Sequence, residues 1–462
     1  MDMMHRMVLP IEFPSGICAG GSSVGNEILL ERNGKNEPVL RGSTIAGKLR
    51  HTFMTLPKDF PDDADIVNKI FGYSPSDRED DIVAGCLIVE DVVLDQGKGN
   101  TGFRICHLRD RHKGRVVDKG LFAVEMCPPG TRADLVFWLA EESCKQVPWF
   151  ARAVRAFIEQ GIIFGGNGNR GLGLARLRHS NTPICNTYKL NDPGDYASWL
   201  DARDGCVDKN GAMVIPELSI PETGLHISLE FNIPDGQDIL VGQGGSETRQ
   251  TEPALTIGYD GKPYWEIPGS AFHGLLRQWV TRLAARDGYP VADTTERYAP
   301  LTETDGDLIG WCFDPGNSKA HEKCAVTRLF GSLYKAGRVH CTGAFALAGE
   351  VSKEEVTQYT GVQERTHVAI DPISGGAVNH MLFKTAVLTS EYKGTFKTDW
   401  YIETPTEEEV RWIGRTIAAI DMGLVRIGSS KASGRLKLTK LPDARCMHAE
   451  VITGMELGGS ND

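Results

Sequence analysis

Two short stretches of the chain combine small residues with cations in the way that phosphate binding requires. Gly42–Arg50 and Gly269–Arg277 each begin with Gly-Ser, read as the start of a helix and carry a basic or imidazole side chain within the first turns. Two Gly-rich loops, Gly165–Gly171 and Gly428–Arg435, follow later in the chain. Unblocked backbone N–H groups at a helix start or in such a loop attract phosphate oxygens. We expect these segments to bring cations to a nucleic-acid backbone, namely Lys48, Arg50, Arg170, Arg277, Lys431 and Arg435.

A second group of residues has the types and spacing of a zinc site. Cys312, His321 and Cys324 follow one another in a loop-rich insert, and Cys341 or His340 could supply a fourth ligand. Thiolate and imidazole are the ligands of tetrahedral structural zinc. The second cysteine of a Cys-x-x-Cys pair is missing, so ordinary reduced cysteines remain the alternative. The sequence predicts a structural Zn²⁺ in the second half, with Cys341 as the fourth ligand.

The Gly-Ser helix start and the Gly-rich loop occur twice in the same order, which indicates two whole domains in tandem. Each Gly-Ser helix start is followed by a Phe-Gly pair, at Phe71-Gly72 and at Phe330-Gly331, and each half closes on its Gly-rich loop. Between the halves lies a stretch rich in Asp, Pro and Gly without sustained periodicity. We predict a first domain over residues 1–181, a linker over 182–223 and a second domain over 224–462.

The elements that must position these segments have the same order in both halves. Alternating apolar residues predict opening strands at Met7–Phe13 and Leu225–Phe231, each followed by the Gly-Ser helix. Ser43 or Thr44 is expected to cap the first of these helices. Helices on one side of an antiparallel sheet in a β-α-β…β-α-β order are the α+β, ferredoxin-like or RRM-like layout. In the second half we predict a hairpin around 365–384, a strand at Thr385–Leu388 and a helix at Glu407–Ile420, and in the linker a short helix near 197–202.

Charge and composition restrict the function only in part. The net charge of −11 argues weakly against a nucleic-acid partner, but contacts use one face, so distribution can overrule the total. Positive charge concentrates in residues 104–119, which include Arg104, Arg109 and Arg111. The start lacks the apolar region of a signal peptide, and no apolar run has the length of a membrane span. Scattered cysteines without a framework favour free thiols in the cytoplasm.

Taken together, the ordered motifs resemble the RAMP superfamily, the repeat-associated backbone subunits of type III CRISPR effector complexes. Leu40–Arg50 and Ile267–Arg277 are similar to the family's Pro-Gly-Ser-Ser-x-x-Gly-x-x-Arg helix start. The two Gly-rich loops are similar to its terminal signature, and Arg365–Asp371 is similar to its thumb hairpin. The likeness covers nearly the whole chain outside the linker and the insert near 293–322. It implies a tandem form with two fused backbone-type domains.

The resemblance implies a cytoplasmic subunit that binds guide CRISPR RNA and holds complementary target RNA on it. Its partners would be other RAMP backbone subunits and a large polymerase-like subunit, with no membrane involved. Phe103–Pro129 and Arg365–Leu388 would be thumb hairpins whose apolar tips push between the guide and target strands. The residues expected to contact RNA are Ser43, Lys48, Arg50, Arg104, Arg109, Arg111, Gly166, Asn169, Arg170, Ser270, His273, Arg277, Arg365, Lys431 and Arg435.

Family members that cut target RNA place an aspartate between the first Gly-rich turn and the Gly-Ser helix. Asn26 and Thr251 stand at that position here, with Glu27 and Glu252 beside them and Asp238 further upstream. A carboxylate there would hold Mg²⁺ or Mn²⁺, which polarises the phosphate while the 2′-hydroxyl attacks. The resemblance therefore suggests Glu252, Glu27, Asn26 and Asp238 as the candidate catalytic residues of a metal-dependent endoribonuclease.

Three functions stay open on the sequence. The chain is a guide-RNA-binding backbone subunit that also cleaves target RNA at regular intervals, or the same scaffold without cleavage. The third is a stand-alone RNA-processing endoribonuclease of the same superfamily, which needs a catalytic histidine near the first strand, where His5 and His226 are available. Two hairpins in tandem favour the scaffold functions, because a processing nuclease has no use for regular spacing along a guide.

Overall fold

The computed structural model of the chain describes residues 3–55, 66–73, 84–109, 116–140, 147–178, 180–203, 212–220, 224–242, 251–291, 324–331, 336–349, 355–371 and 373–454. Across these ranges, no helix has both the length and the apolar character needed to cross a membrane.

The first unit contains two ferredoxin-type helices, a central sheet and a hairpin. Its elements are β1 (Met3–Phe13), β2 (Gly20–Val24), β3 (Glu27–Leu30), β4 (Val39–Leu40), α1 (Gly42–Met54), α2 (Ile66–Phe71), β5 (Leu87–Val89), β6 (Val92–Val93), β7 (Gly102–Arg109), β8 (Val116–Met126), β9 (Thr131–Ala140), α3 (Val147–Gln160), β10 (Ile162–Ile163), β11 (Leu174–Leu177), β12 (Ile184–Lys189), α4 (Pro193–Arg203) and β13 (Met213–Val214).

Strand β1 is the centre of the first sheet. It pairs antiparallel with β9 over nearly its whole length, and its other edge is shared by β11 and β12. Strand β5 adds to the far edge of β9, which gives the order β5-β9-β1-β11 for the four strands around α1 and α3. This is the ferredoxin-like arrangement, so the prediction of an α+β fold of that type is confirmed for the first unit.

Helix α1 belongs to the core of this unit because its apolar residues repeat at helical spacing. Ile45, Leu49 and Phe53 follow one another at intervals of four and are buried. The Phe53 ring lies 4.9 Å from the ring of Phe157 and 5.6 Å from that of Phe150, both on α3. Burying one such side chain stabilises the fold by about 2 kcal/mol. The aromatic contacts therefore fix α1 against α3.

The second unit repeats this plan. Its elements are β14 (Gly224–Asn232), β15 (Asp238–Ile239), β16 (Leu255–Ile257), β17 (Pro263–Ile267), α5 (Gly269–Arg286), α6 (Ala325–Phe330), β18 (Val339–Cys341), β19 (Ala344–Leu347), β20 (Val362–Ile370), β21 (Ala377–Thr389), β22 (Phe396–Glu403), α7 (Glu407–Asp421), β23 (Lys437–Leu438), β24 (Asp443–Cys446) and α8 (Ala449–Thr453). Central β14 pairs with β22 on one edge and with β23 and β24 on the other, as β1 pairs with β9, β11 and β12.

The segment 182–223, expected to be a linker, contributes a strand to the first sheet. Strand β12 pairs with β1 from Met3 to Val8, in the place that β24 takes beside β14 in the second unit. Helix α4 contains the expected short helix near 197–202. The repeat is therefore longer than the motifs indicate, because this strand and helix are part of the first unit's own plan.

Two local predictions are wrong. Helix α1 begins at Gly42, Arg41 is its N-cap residue without a side-chain cap, and neither Ser43 nor Thr44 takes that role. Instead, the Gly42 N–H donates to Asp91 Oδ1 at 2.8 Å. Thr385–Leu388 is the end of hairpin strand β21 and not a separate strand. The strand that corresponds to β9 is β22, which the sequence analysis missed.

Candidate nucleic-acid interface

Each unit carries a long antiparallel hairpin, β7–β8 in the first and β20–β21 in the second. Apolar side chains on both hairpins are open to solvent. Ile373, in the turn of the second hairpin, is 96% exposed and Leu382 is 69% exposed, while Leu121 of the first hairpin is 55% exposed. Several exposed apolar side chains on one hairpin are typical of an interaction site. The turn of the first hairpin, with Arg111, lies outside the described residues, as does the side chain of Arg109.

The Gly-rich loops lie against these hairpins. Cζ of Arg170 is 4.3 Å from the ring centroid of Phe122 on β8, and its guanidinium donates to Asn167 Oδ1 at 2.9 Å. In the second unit, Nζ of Lys431 is 4.3 Å from the ring centroid of Phe383 on β21. Burial lowers the pKa of Arg170, with partial compensation from its neighbours. Exposed groups border the same loops, namely Gly166, Asn169, Gly428, Ser430, Arg426 and Arg435.

The start of helix α1 is occupied by side chains of its own unit. Besides receiving the Gly42 N–H, Asp91 pairs with Arg41, whose guanidinium also binds Glu31. Ser43 is exposed and Arg50 is partly exposed on the same helix. Lys48 reaches the second unit, where its Nζ lies 3.4 Å from Glu403 Oε1. Of the residues assigned to RNA contact on α1, Ser43 and Arg50 face open surface.

The start of helix α5 is covered by the first unit's Gly-rich loop. A Cβ added at Gly269 would lie 2.7 Å from Gly171 Cα and 2.0 Å from the Cys341 carbonyl oxygen. Only glycines allow the two backbones to come this close. Ser270 is half-buried, and His273 is buried with its ring 5.3 Å from that of Phe330. Arg277 is half-buried on the next turn of α5. The second helix start is thus part of the contact between the units.

Two arginines predicted to bind RNA form ion pairs within the protein. Arg104 on β7 pairs with Glu266 on β17, which joins the units, and both side chains are buried. Burial raises the pKa of Glu266, and Arg104 opposes that shift. Arg365 on β20 pairs with Asp238. The carboxylate of Asp238 also accepts the Ser433 N–H at 2.6 Å, so it holds the second Gly-rich loop to the second hairpin.

Further contacts extend the joint between the units, which we define as the surface formed by Gly171, Arg104, Lys48, Arg176 and their partners in the second unit. Arg176 lies 3.0 Å from Asp399. Burial disfavours the charged form of Glu403, but His340 and Lys48 outweigh it and lower the pKa to about 2. The His226 ring stacks on Tyr401 at 4.6 Å, and burial lowers its pKa to about 4.

Sequence reasoning missed the acidic members of this joint, among them Glu266 and Glu403. Neither belongs to a motif, and each acts through a residue far away in the chain. One signal was present, because Glu266 stands three residues before the helix glycine where the first half has Val39. A residue that differs between otherwise matched motifs indicates a contact that the other unit does not have at the matched position.

The candidate catalytic residues lie at the bases of the two hairpins. Glu27 is exposed at the start of β3 and pairs with Ala123, which follows Phe122. The carbonyl oxygen of Asn26 accepts the Ala123 N–H at 2.9 Å. In the second unit, the carbonyl oxygen of Thr251 accepts the Ala386 N–H at 3.1 Å, and half-buried Glu252 follows it. Glu27 and Glu252 therefore have corresponding places beside the hairpins, whereas Asp238 is buried in its ion pair.

The predicted zinc ligands lie partly beyond the described residues, since Cys312 and His321 fall outside them. Cys324 and Cys341 are buried in the second core, and Cys324 Sγ accepts the Thr327 N–H at 3.4 Å. Burial raises the pKa of the Cys341 thiol well above its usual range. Over the part of the chain that the structure describes, no group of three or more His, Cys, Asp or Glu side chains could hold a metal ion.

Two ferredoxin-like units in tandem, each with a hairpin held on a Gly-rich loop, define the class of this protein. Comparison with family descriptions gives a match to the RAMP superfamily over residues 11–176 and 238–436. The chain therefore belongs to the RAMP superfamily. No curated protein sequence matches it. A similar solved chain, from the structure entitled "Type III-B Cmr-beta Cryo-EM structure of the Apo state", is 15% identical with a TM-score of 0.30, covering 37% of this chain and 96% of that chain.

Proposed function

We propose that this protein is a guide-RNA-binding backbone subunit of a type III CRISPR ribonucleoprotein. It presents two hairpins, one per unit, to the duplex of guide and target RNA. The observation that supports this most is the repetition of one surface. Both units have a hairpin with exposed leucine beside a Gly-rich loop, and both sit in a chain of the RAMP superfamily.

The physical role of each part follows from its chemistry. Exposed and partly exposed cations near the loops and on α1 bind phosphates of any sequence, which suits a carrier of variable guides. Arg426 and Arg435 border the second loop, and Arg50 lies on α1. Apolar residues on the hairpins can separate stacked bases, as wedges do in nucleic-acid-bending proteins.

The test is binding of the full chain to guide RNA of two unrelated sequences across a salt series. We expect equal affinities and a log–log salt slope that shows several phosphate contacts. Arg50→Ala and Arg435→Ala should each weaken both RNAs alike and reduce the slope by about one. Arg411→Ala, an exposed cation on α7, is the matched control. Affinity for one sequence only, or no effect of the two variants, contradicts the proposal.

Target cleavage is the second candidate function. It is favoured by the corresponding places of Glu27 and Glu252 beside the two hairpins, where a displaced nucleotide would lie. Each carboxylate would supply a hard oxygen ligand to Mg²⁺ or Mn²⁺, and the metal would stabilise charge at the phosphate. The chain's own contribution is then to hold the phosphate and the 2′-hydroxyl in line.

The assembled complex, given a guide-complementary RNA with and without EDTA, tests this. Glu252→Gln and Glu27→Gln, made separately, should each remove one specific cut while guide affinity is retained. Asp238→Asn, which disturbs the loop instead, is expected to weaken RNA binding. If both glutamine variants keep every cut, the protein is a scaffold.

A stand-alone processing nuclease is disfavoured by the place of the histidines. His226 is half-buried against the first unit, where a Cβ added at Gly161 would lie 3.1 Å from its Cε1, and the ring of His5 bonds to Thr187 Oγ1 at 3.0 Å on strand β12.

A further inference from the structure

The same cation–aromatic contact occurs once in each unit. The first loop is closed by the Phe164 N–H donating to Gly173 O at 2.9 Å, and the second by the Ile427 N–H donating to Gly434 O at 2.8 Å. Between these bonds the first loop is two residues longer than the second. Both loops nevertheless place a cation 4.3 Å from a phenylalanine ring of the adjacent hairpin.

In each hairpin the exposed leucine directly precedes the phenylalanine and lies on the other face of the strand. Side chains of successive strand residues point to opposite faces, so Phe122 and Leu121 are opposed, as are Phe383 and Leu382. The ring faces the loop and the leucine faces solvent, at 55% exposure in the first unit and 69% in the second. A contact that restrains the phenylalanine ring therefore also restrains the direction of the leucine side chain.

We propose that Arg170 and Lys431 are positioning residues that act through Phe122 and Phe383 to aim the exposed hairpin leucines at the RNA duplex. A cation over an aromatic face is attracted by the negative charge of the ring, and the attraction grows when the pair is shielded from water. The inference changes the role expected of these two cations, from phosphate contact to control of the hairpin.

Neighbouring contacts limit the movement of one partner in each of the two pairs. The Arg170 guanidinium donates a hydrogen bond to Asn167 Oδ1 at 2.9 Å, which restrains the cation. Phe383 is held on its strand by the His367 ring, stacked 5.2 Å away, and Nε2 of His367 lies 2.8 Å from Thr385 Oγ1. The support thus acts on the cation in the first unit and on the ring in the second, and a contact with one partner held in place can transmit the position of the loop to the hairpin.

The experiment uses the second unit and the full chain, with Phe383→Leu, Lys431→Met, the double variant and the conservative Lys431→Arg. One part of the experiment rests on the proposed function: guide-loaded protein captures a target RNA that carries 2-aminopurine, whose fluorescence reports unstacking of the bases. We expect Phe383→Leu to weaken target capture about two- to fivefold and to reduce the unstacking signal, with guide affinity unchanged. Lys431→Met should have the same effect, the double variant no larger one, and Lys431→Arg should resemble the wild type.

Two outcomes of the RNA-binding experiment and one of a hydrogen-exchange experiment overturn the inference. If Lys431→Met lowers guide affinity and reduces the salt slope while Phe383→Leu does not, Lys431 contacts phosphate. If the effects of the two single variants multiply in the double variant, the residues do not act as a pair.

Hydrogen exchange of RNA-free protein tests the inference separately from the proposed function. Phe383→Leu and Lys431→Met should both speed exchange across β20 and β21, and Lys431→Arg should not. Wild-type protein that fails to bind guide RNA contradicts the proposed function, and exchange unchanged in both variants contradicts the inference.

Discussion

At the scale of single residues, the buried pair of Arg104 and Glu266 has a large expected effect on stability. Both groups are almost entirely enclosed, so each needs the other to compensate for lost hydration. Replacing Arg104 by Met should lower the free energy of unfolding by about 3–5 kcal/mol, because it leaves Glu266 buried without a cation. Urea denaturation of the full chain measures this.

The double variant Arg104→Met with Glu266→Leu is the control, since it removes both charges. It should recover most of the lost stability, because well-packed apolar residues often replace a buried ion pair at little cost. Lys393→Ala, which breaks the exposed pair with Asp235, should change stability by less than about 1 kcal/mol. A single Arg104 variant as stable as Lys393→Ala contradicts the assignment.

At the scale of elements, the second hairpin is a surface whose apolar residues contribute to binding and not to folding. Replacing Ile373 and Leu382 by Ser should leave the midpoint of thermal unfolding within a few degrees, because both are exposed in the free protein. Capture of target RNA by the guide-loaded protein should fall. Ser substitution of buried Leu388, at the base of the same strand, is the contrast and should destabilise the fold. Equal target capture by wild type and the double serine variant rules out a wedge.

The sequence predicted the elements with strong periodicity and missed those whose pattern is set by distant partners. Helices α1, α5 and α7 carry apolar residues at helical spacing, and the predictions locate them within a few residues. Strand β22 was missed because Lys397 and Asp399 interrupt its apolar residues, and Asp399 is satisfied by Ser228 and by Arg176. The cap of α1 could not be predicted, since Asp91 lies far from it in the chain.

The candidate interface shows the same division. Glycines and cations indicated the two loops and both hairpins, because these are local patterns. Nothing local distinguishes Arg104, whose partner is in the other unit, from Arg435, which is exposed. Which arginine forms an ion pair depends on how the two units pack, and that packing cannot be derived from a single sequence.

At the scale of the whole molecule, the joint should make stability sensitive to acid. The pKa of His226 is about 4 in the folded chain against 6.5 for the ordinary group, so folding favours its neutral form. Stability from this group is complete above pH 6.5 and is lost as pH falls towards 4, by about 3 kcal/mol in total. Glu403, with a pKa of about 2 against 4.5, adds a second loss below pH 4.5.

Urea denaturation at pH 7, 5.5 and 4.5 checks this expectation. The His226→Phe variant keeps a ring stacked on Tyr401 but cannot be protonated, so it should lose less stability between pH 6.5 and 4.5 than the wild type. An identical slope for the two proteins over that window means that His226 is not the titrating group.

Because one polypeptide carries both sides of the joint, its formation does not depend on protein concentration. Two separate domains with the same contacts would dissociate on dilution. A covalent tether instead keeps the two units at an effective concentration on the order of millimolar. The pairing of β12 with β1 shortens the free length of that tether, because the chain after the first Gly-rich loop returns to the first sheet before it enters the second unit. In a cell with few copies of the protein, both hairpins are thus available together from the moment the chain has folded.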